Sequence, residues 1–159
     1  MIKVLFVCLG NICRSPMAEF IFKDMVNKKG IADEFYIDSA ATSKYNELEG
    51  AGIYGDAKKM LKQMNIPFTE HKSRQIRKED YDKFDYILAM EDKNISNILK
   101  IVGTDSQNKV HRLLDFTQNP RNISDPWYTG DFLTTYYDIV YGCEEFLKYI
   151  IKNNSNLKI

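Results

Sequence analysis

The residues whose types and spacing best suggest chemistry lie near the N-terminus, in a segment with the pattern Cys-x5-Arg between Cys8 and Arg14. Within it, Gly10 and Asn11 are residue types that tolerate a positive φ, so the backbone N–H groups of this short turn can converge on one point. Converging N–H groups before a helix N-terminus bind anions, and an arginine fork matches two phosphate oxygens. The segment therefore predicts a phosphate site.

Cys8 is expected to lie beneath the bound anion. In comparable positive fields the pKa of a thiol falls from ~8.5 to ~3.5–7.5, which gives a thiolate at neutral pH. A thiolate aimed at phosphorus is a nucleophile for phosphoryl transfer. Ser15 is expected to donate a hydrogen bond to that thiolate and to cap the following helix. The alternative is that Cys8 is a small buried hydrophobe and Arg14 a surface residue.

A general acid is also needed, because cleavage of a phosphate ester leaves an oxygen that must be protonated. Asp125 is the best candidate, since it lies in a long loop beside Trp127 and Tyr128, whose rings could hold a phenyl group. Taken alone, an Asp-Pro pair in a loop usually marks a turn.

Short apolar runs alternate with helical stretches along the chain, which predicts an α/β fold with a parallel sheet and helices on both faces. The run at 2–7 is almost continuously apolar, as in a strand buried on both faces. Ligands in such sheets bind beyond the carboxyl ends of strands, where the Cys-x5-Arg segment lies. The predicted strands are 2–7, 35–37, 86–89 and 110–114. The predicted helices are 16–29, 57–64, 95–102 and 132–150, with loops at 41–54 and 115–131. The basic run at 71–78 is expected to be a solvated connector.

The chain has 159 residues, which favours a single domain over residues 1–159. Lys plus Arg and Asp plus Glu number 22 each, so the net charge is zero, which argues against a dedicated nucleic-acid binder. The sequence contains no long apolar run, so no membrane-spanning helix is expected. Three cysteines do not fit a secreted disulfide scaffold, so we expect the cytoplasm, with export by an unrecognised signal as the alternative.

Five segments resemble, in order, those of the low-molecular-weight protein tyrosine phosphatases. Residues 7–19 are similar to the family's phosphate-binding loop and first helix, and 125–128 to its acid segment. Residues 38–43, 73–76 and 84–90 are similar to its intervening segments. The resemblance spans essentially the whole chain and implies a four-stranded parallel sheet in a three-layer sandwich.

The resemblance also implies a mechanism. Cys8 would form a cysteinyl-phosphate, Arg14 would hold the phosphoryl oxygens, and Asp125 would act first as acid and then as base. No metal or cofactor is implied, and the implied partner is a phosphotyrosine-containing protein, with the chain expected to be monomeric. The loop residues expected to surround the phosphate are Leu9, Gly10, Asn11, Ile12, Cys13, Arg14 and Ser15.

Further roles are implied by the same resemblance. Cys13 would be a redox partner that protects Cys8, with a packed thiol as the alternative. Independently of the resemblance, Cys143 is expected in the core, because it lies on the apolar stripe of the last helix. For His71 the alternative is a surface or core histidine without a role. The network expected to shape the loop comprises Asn11, Ser15, Ser39 and His71. The expected substrate cleft comprises Leu9, Ile12, Tyr45, Trp127 and Tyr128.

The region 44–58 departs from the family's pattern, because its segment 44–56 is somewhat longer and Asp56 falls where an arginine is expected. Because it forms one wall of the cleft, it leaves substrate preference open. Phosphoarginine phosphatases are one alternative, but they tend to have Thr at the position of Ile12. Thiol-coupled arsenate reductases are another, but they need a cysteine pair that residues 14–142 lack. A phosphocarrier or binding domain is disfavoured by the presence of both Arg14 and Asp125.

Overall fold

A computed structural model describes residues 1–154 and 156–157. Within these residues, four parallel strands form one sheet in the order β2-β1-β3-β4. Their bounds are β1 (Ile2–Cys8), β2 (Phe35–Ala41), β3 (Tyr86–Ala89) and β4 (Val110–Arg112). The predicted α/β architecture and parallel sheet are confirmed.

The helices have the bounds α1 (Arg14–Lys28), α2 (Tyr45–Leu48), α3 (Gly55–Gln63), α4 (Asp80–Lys83), α5 (Asp92–Val102), α6 (Pro126–Thr129) and α7 (Phe132–Asn153). The longer helices pack on both faces of this sheet, with α1 and α7 on one face and α5 on the other. Two 3-10 turns lie at Ala32–Glu34 and Leu113–Phe116. Among the helices of the described residues, none combines the length and the apolar character that crossing a membrane requires.

Strand β1 lies at the centre of the sheet, and its alternating side chains enter two separate cores. Phe6 points into the core formed with α1 and α7, where it contacts Phe22 edge to face at 5.8 Å between ring centroids. Leu5 and Val7 point into the opposite core, against α5. This two-sided burial explains why the strand is almost continuously apolar, and it fixes the position of Cys8 at the strand's carboxyl end.

Several boundaries differ from the sequence predictions. The predicted strand 110–114 ends at Arg112, because Asp115 accepts from the Arg112 backbone and turns the chain into a 3-10 helix. The loops predicted at 41–54 and 115–131 contain the short helices α2 and α6, and α4 was not predicted. Four residues do not supply enough periodicity to identify a helix.

The basic stretch at 71–78 suggests a solvated connector, and that interpretation is wrong. Arg74 donates to Asp80 at 3.0 Å and to Asp38 at 3.2 Å. Ile76 is buried, and Gln75 forms a parallel bridge with Ala41 at the end of β2. The segment is therefore fixed beside the carboxyl ends of the strands.

Gly142 allows α7 to approach the 3-10 turn closely. A Cβ on Gly142 would lie 2.6 Å from Leu113 Cγ, a buried atom with little room to move. We expect Gly142→Ala to lower the free energy of unfolding by ~1 kcal/mol, because overpacking outweighs the gain in helix propensity. Urea denaturation measures the change.

Gly55→Ala is the matched control, because an added Cβ there meets no atom within 4 Å. It is expected to leave the unfolding free energy equal or higher. Stabilisation of both variants to the same extent would contradict the close approach at Gly142.

Candidate active site

The turn between β1 and α1 is shaped by hydrogen bonds to its carbonyl groups. Each carbonyl oxygen from Cys8 to Cys13 accepts a hydrogen bond from a donor outside the turn's concave side. In order, the donors are Thr42 N (2.9 Å), Ser43 N (3.0 Å), Asn46 Nδ2 (2.9 Å), Ser73 Oγ (2.8 Å), Tyr54 N (2.9 Å) and Met17 N (3.0 Å). In a trans peptide the N–H points opposite to the C=O. The N–H groups of residues 9–14 are therefore directed toward the concave side.

Asn11 is the centre of the network that holds the turn. Its φ is 56°, in the left-handed region, which asparagine tolerates better than most residues. Its Nδ2 donates to Ser15 Oγ at 2.8 Å and to Ser39 Oγ at 3.0 Å. Its Oδ1 accepts from the Arg74 backbone N–H at 3.2 Å and lies 2.9 Å from His71 Nε2. The structure thus brings together the four residues that the sequence groups as a network.

Glu19 belongs to this network, although the sequence analysis did not identify it. Ser39 Oγ donates to Glu19 Oε1 at 2.6 Å, and His71 Nδ1 lies 3.7 Å from the same oxygen. The pKa of His71 is lowered, because the effect of burial outweighs the opposite effect of the Glu19 carboxylate. The only signal in the sequence is that Glu19 lies one helical turn after Ser15.

Cys8 lies at the bottom of the turn with two polar groups directed at its sulfur. The Asn11 backbone N–H donates to Sγ at 3.3 Å, and Ser15 Oγ lies 3.1 Å from it. The expectation that Ser15 also caps the helix is wrong, because the cap residue is Cys13 and no side chain caps α1. The Ser15 hydroxyl accepts from Asn11 instead, which leaves its proton for the sulfur or for the Ala40 carbonyl oxygen at 3.4 Å.

Cys13 and Cys143 differ from Cys8 in their surroundings. Burial, followed by the charge of Cys8, raises the pKa of Cys13 to about 12, so Cys13 is a neutral thiol at pH 7. Cys13 lines the same cavity as Cys8, and its redox role stays a prediction. Cys143 is buried in the core, as expected from its helix face, and burial raises its pKa further.

Arg14 is only 2% exposed, so the alternative of a surface arginine is wrong. Its NH1 donates to Glu91 Oε2 at 2.7 Å and to the Ile123 carbonyl oxygen at 2.9 Å, and its NH2 donates to Asp125 Oδ2 at 3.3 Å. Burial alone would lower the pKa of Arg14, but the negative charges of Cys8, Asp125 and Glu91 outweigh it and raise that pKa. No motif or spacing in the sequence indicates that Glu91 belongs to the site.

Asp125 reaches the site from the loop before α7. It is the cap residue of α6, and its Oδ1 accepts from the Trp127 backbone N–H at 3.0 Å. The other oxygen, Oδ2, is directed at Arg14. The carboxyl group is therefore held between a helix N-terminus and a buried cation.

These residues line a cavity of about 390 Å³. All five predicted cleft residues contribute to it, and Ser43 and Asn46 contribute without having been predicted. The full lining is Cys8, Leu9, Gly10, Ile12, Cys13, Arg14, Ser43, Tyr45, Asn46, Asp125, Trp127 and Tyr128. Over residues 1–154 and 156–157, no group of three or more His, Cys, Asp and Glu side chains is arranged to hold a metal ion.

Comparison with known proteins gives a consistent result. The model of the low molecular weight phosphotyrosine protein phosphatase family matches residues 3–156. The low molecular weight protein-tyrosine-phosphatase YfkJ of Bacillus subtilis is 40% identical over 154 residues, which cover 96% of this chain and 97% of that protein. The human low molecular weight phosphotyrosine protein phosphatase is 39% identical over 151 residues, covering 92% of this chain and 94% of that protein.

Solved structures agree with the sequence matches. The crystal structure of YfkJ superposes with a TM-score of 0.92, at 39% identity and with 97% of each chain covered. The crystal structure of a Drosophila arginine phosphatase superposes with a TM-score of 0.83, at 32% identity, covering 96% of this chain and 100% of that chain.

The three cysteines are expected to differ in their reaction with iodoacetamide at pH 7. Cys8 should react, because its sulfur lines the cavity and the Asn11 N–H and the Ser15 hydroxyl are placed to stabilise a thiolate there. Cys13 lines the same cavity but should not react, because burial keeps it a neutral thiol, and the same holds for Cys143 in the core. Mass spectrometry of the digested protein locates the label. Inorganic phosphate should slow the reaction by occupying the turn.

Cys13→Ser is the matched control and should be labelled at the wild-type rate, whereas Cys8→Ser should not be labelled. Labelling of Cys13 at a rate equal to that of Cys8 would contradict the assignment.

Proposed function

The chain belongs to the low-molecular-weight phosphotyrosine protein phosphatase family, and from that premise we propose how its residues hydrolyse phosphotyrosine in proteins and small aryl phosphates. The proposal rests on the turn between β1 and α1, in which the carbonyl groups of residues 8–13 are held outward by hydrogen bonds. Cys8 lies at the base of this turn, and Arg14 and Asp125 line the same cavity. This arrangement supplies a nucleophile, a phosphate-binding site and an acid within one space.

In the first step, Cys8 Sγ attacks phosphorus in line with the tyrosine oxygen. The S–P bond forms as the P–O bond to the phenol breaks, and Asp125 gives its proton to the leaving phenolate oxygen. The other N–H groups of the turn and the Arg14 guanidinium hold the three remaining oxygens, while the Asn11 N–H is directed at the sulfur. Their charge persists through a loose transition state, so preorganised donors stabilise it effectively.

In the second step, the cysteinyl-phosphate is hydrolysed. Asp125, now a carboxylate, takes a proton from a water molecule whose oxygen attacks phosphorus. The S–P bond breaks, inorganic phosphate leaves, and Cys8 regains its negative charge. The Ser15 hydroxyl, 3.1 Å from Sγ, is placed to donate a hydrogen bond to the departing thiolate.

Glu91 acts in this scheme by orienting Arg14. Its carboxylate and the Ile123 carbonyl oxygen both accept from NH1, so the plane of the guanidinium is fixed from one side. The NH2 group faces the cavity side, where Asp125 lies. A guanidinium fixed in advance loses little conformational entropy when it binds phosphate.

The substrate preference follows from the walls of the cavity. Tyr45, Trp127 and Tyr128 are exposed aromatic residues at its mouth, and Ile12 is an apolar residue beside them. Flat apolar walls favour a phenyl ring over a charged guanidinium group, which supports phosphotyrosine. Phosphoarginine is the second candidate, because a Drosophila arginine phosphatase is among the structures that superpose.

We also propose that residues 1–159 act as one phosphatase domain in the cytoplasm. Cys8, Cys13 and Cys143 are free thiols, which suits a reducing compartment. The partner would be a phosphotyrosine-containing protein, and we expect the chain to act as a monomer.

The wild-type protein is expected to hydrolyse phosphotyrosine peptides and phenyl phosphate in the presence of EDTA. Cys8→Ser should abolish this activity, because a serine hydroxyl is a far weaker nucleophile than a thiolate. The measurement is phosphate release from phosphotyrosine, phosphoserine and phosphoarginine peptides at equal concentration, with arsenate reduction as a further assay.

Robust metal-free activity in Cys8→Ser would exclude the thiolate mechanism. A faster reaction with phosphoarginine than with phosphotyrosine would transfer the assignment to the second candidate.

Asp125→Asn is expected to remove acid catalysis while it keeps an oxygen that accepts from Trp127 N–H. The value of kcat/KM for phenyl phosphate should fall by ~10²–10⁴-fold, the usual contribution of a general acid. For 2,4-dinitrophenyl phosphate the loss should stay below ~10-fold, because that phenolate leaves without a proton. Asp125→Ala should show the same pattern, and an equal loss on both substrates would remove Asp125 from the role of acid.

A further inference from the structure

Three aromatic residues form a cluster behind the loop that bears Asp125. The ring centroid of Tyr54 lies 4.9 Å from that of Trp127 in an edge-to-face arrangement. On the other side, Tyr54 stacks on Phe132 with 6.1 Å between centroids and 18° between ring planes. Tyr54 is not part of the cavity lining, so its ring supports a wall of the site from behind.

The backbone of Tyr54 is attached to the phosphate-binding turn. Its N–H donates to the Ile12 carbonyl oxygen at 2.9 Å, and it is the residue that precedes α3. The position of the Tyr54 ring is therefore set by the same turn that is proposed to bind the phosphoryl group.

Trp127 connects this ring to the carboxyl group of Asp125. The Trp127 backbone N–H donates to Asp125 Oδ1 at 3.0 Å, which leaves Oδ2 directed at Arg14. The loop is attached at its base, where the buried Ile123 donates its N–H to the Met90 carbonyl oxygen at 2.9 Å. Residues 127–131 are exposed, so the contact between Trp127 and Tyr54 ties this outer turn to the body of the protein.

We propose that Tyr54 is a positioning residue that acts through Trp127 to hold the Asp125 carboxyl group at the leaving oxygen. This inference rests on the function proposed above. Tyr54 lies in the region 44–58, where the sequence departs from the pattern expected of the family. The position of the acid relative to the phosphate then depends on the packing of Tyr54 against Trp127 and Phe132, and not on the exposed outer turn alone.

A displaced acid affects only the part of the reaction that needs its proton. Without the Tyr54 ring, Trp127 loses its edge-to-face contact, and the Oδ1 position that depends on Trp127 N–H becomes less well defined. A shift of ~1 Å in a catalytic group can cost ~10²-fold in rate. The loss should therefore appear with substrates whose leaving group must be protonated, and not with those that leave unaided.

The test compares Tyr54→Ala, Tyr54→Leu and Tyr54→Phe on two substrates. For phenyl phosphate, Tyr54→Ala and Tyr54→Leu should lower kcat/KM by ~10-fold, a part of the general-acid contribution. For 2,4-dinitrophenyl phosphate, the change should stay within ~2-fold. Tyr54→Phe should match the wild type on both substrates, because the inference requires the ring and not the hydroxyl.

A double-mutant cycle identifies the group through which Tyr54 acts. In the Asp125→Ala background, Tyr54→Ala should have no further effect on phenyl phosphate, because the acid that it positions is already absent. Additive losses in the cycle would overturn the proposal, and so would equal losses on the two substrates in the single variant.

Two controls keep the outcome interpretable. Thermal unfolding reports whether Tyr54→Ala is folded, and Tyr54→Leu, which keeps most of the apolar volume, replaces it if it is not. Wild-type protein that shows no leaving-group dependence, or Asp125→Asn that keeps full activity, would refute the proposed function itself. A normal Asp125 effect with an unaffected Tyr54→Ala would refute only the positioning role.

Discussion

The constraint on which the site depends is that six consecutive carbonyl groups must point away from one small volume. A turn of this length cannot satisfy those carbonyls by itself, and an unpaired buried carbonyl is costly. One donor comes from α1 itself, and the other five come from three other parts of the chain: the end of β2, the segment 44–54 and the segment around Ser73. These loops are held in place because they satisfy the turn, and they form the walls of the cavity for the same reason.

The second requirement is to bury a cation without isolating it. Arg14 is almost completely removed from water, and a buried charge is tolerated only when it is paired and hydrogen-bonded. Glu91, Asp125 and the Ile123 carbonyl oxygen meet this need. The pairing also brings the acid loop to the phosphate-binding turn from a distant part of the sequence, so one electrostatic arrangement serves both folding and catalysis. A net charge of zero is compatible with this strong local field.

Local patterns in the sequence predict the features that depend on neighbours along the chain. The buried strand β1, the Cys-x5-Arg turn and the amphipathic α7 are all visible from residue types and spacing. The partners that come from elsewhere are not, because a single polar side chain has no periodicity and its role is set by the fold. This is why Arg74 in a basic stretch suggested a solvated connector, although Asp38 and Asp80 fix it. The site residues missed for this reason are Glu19, Ser43, Asn46, Tyr54, Ser73 and Glu91.

The contribution of the segment 44–56 to the site, the Tyr54 ring, could not be deduced from sequence motifs. The Ile12 carbonyl oxygen requires a donor, and the Tyr54 backbone N–H supplies it. Any residue except proline offers that N–H, so the requirement leaves the side chain at this position free to vary. In this chain the side chain at position 54 is an aromatic ring that packs against Trp127 and Phe132. A backbone constraint set by the turn thus coexists with a side-chain interaction that the turn does not dictate, and only the second can tune how firmly the acid is held.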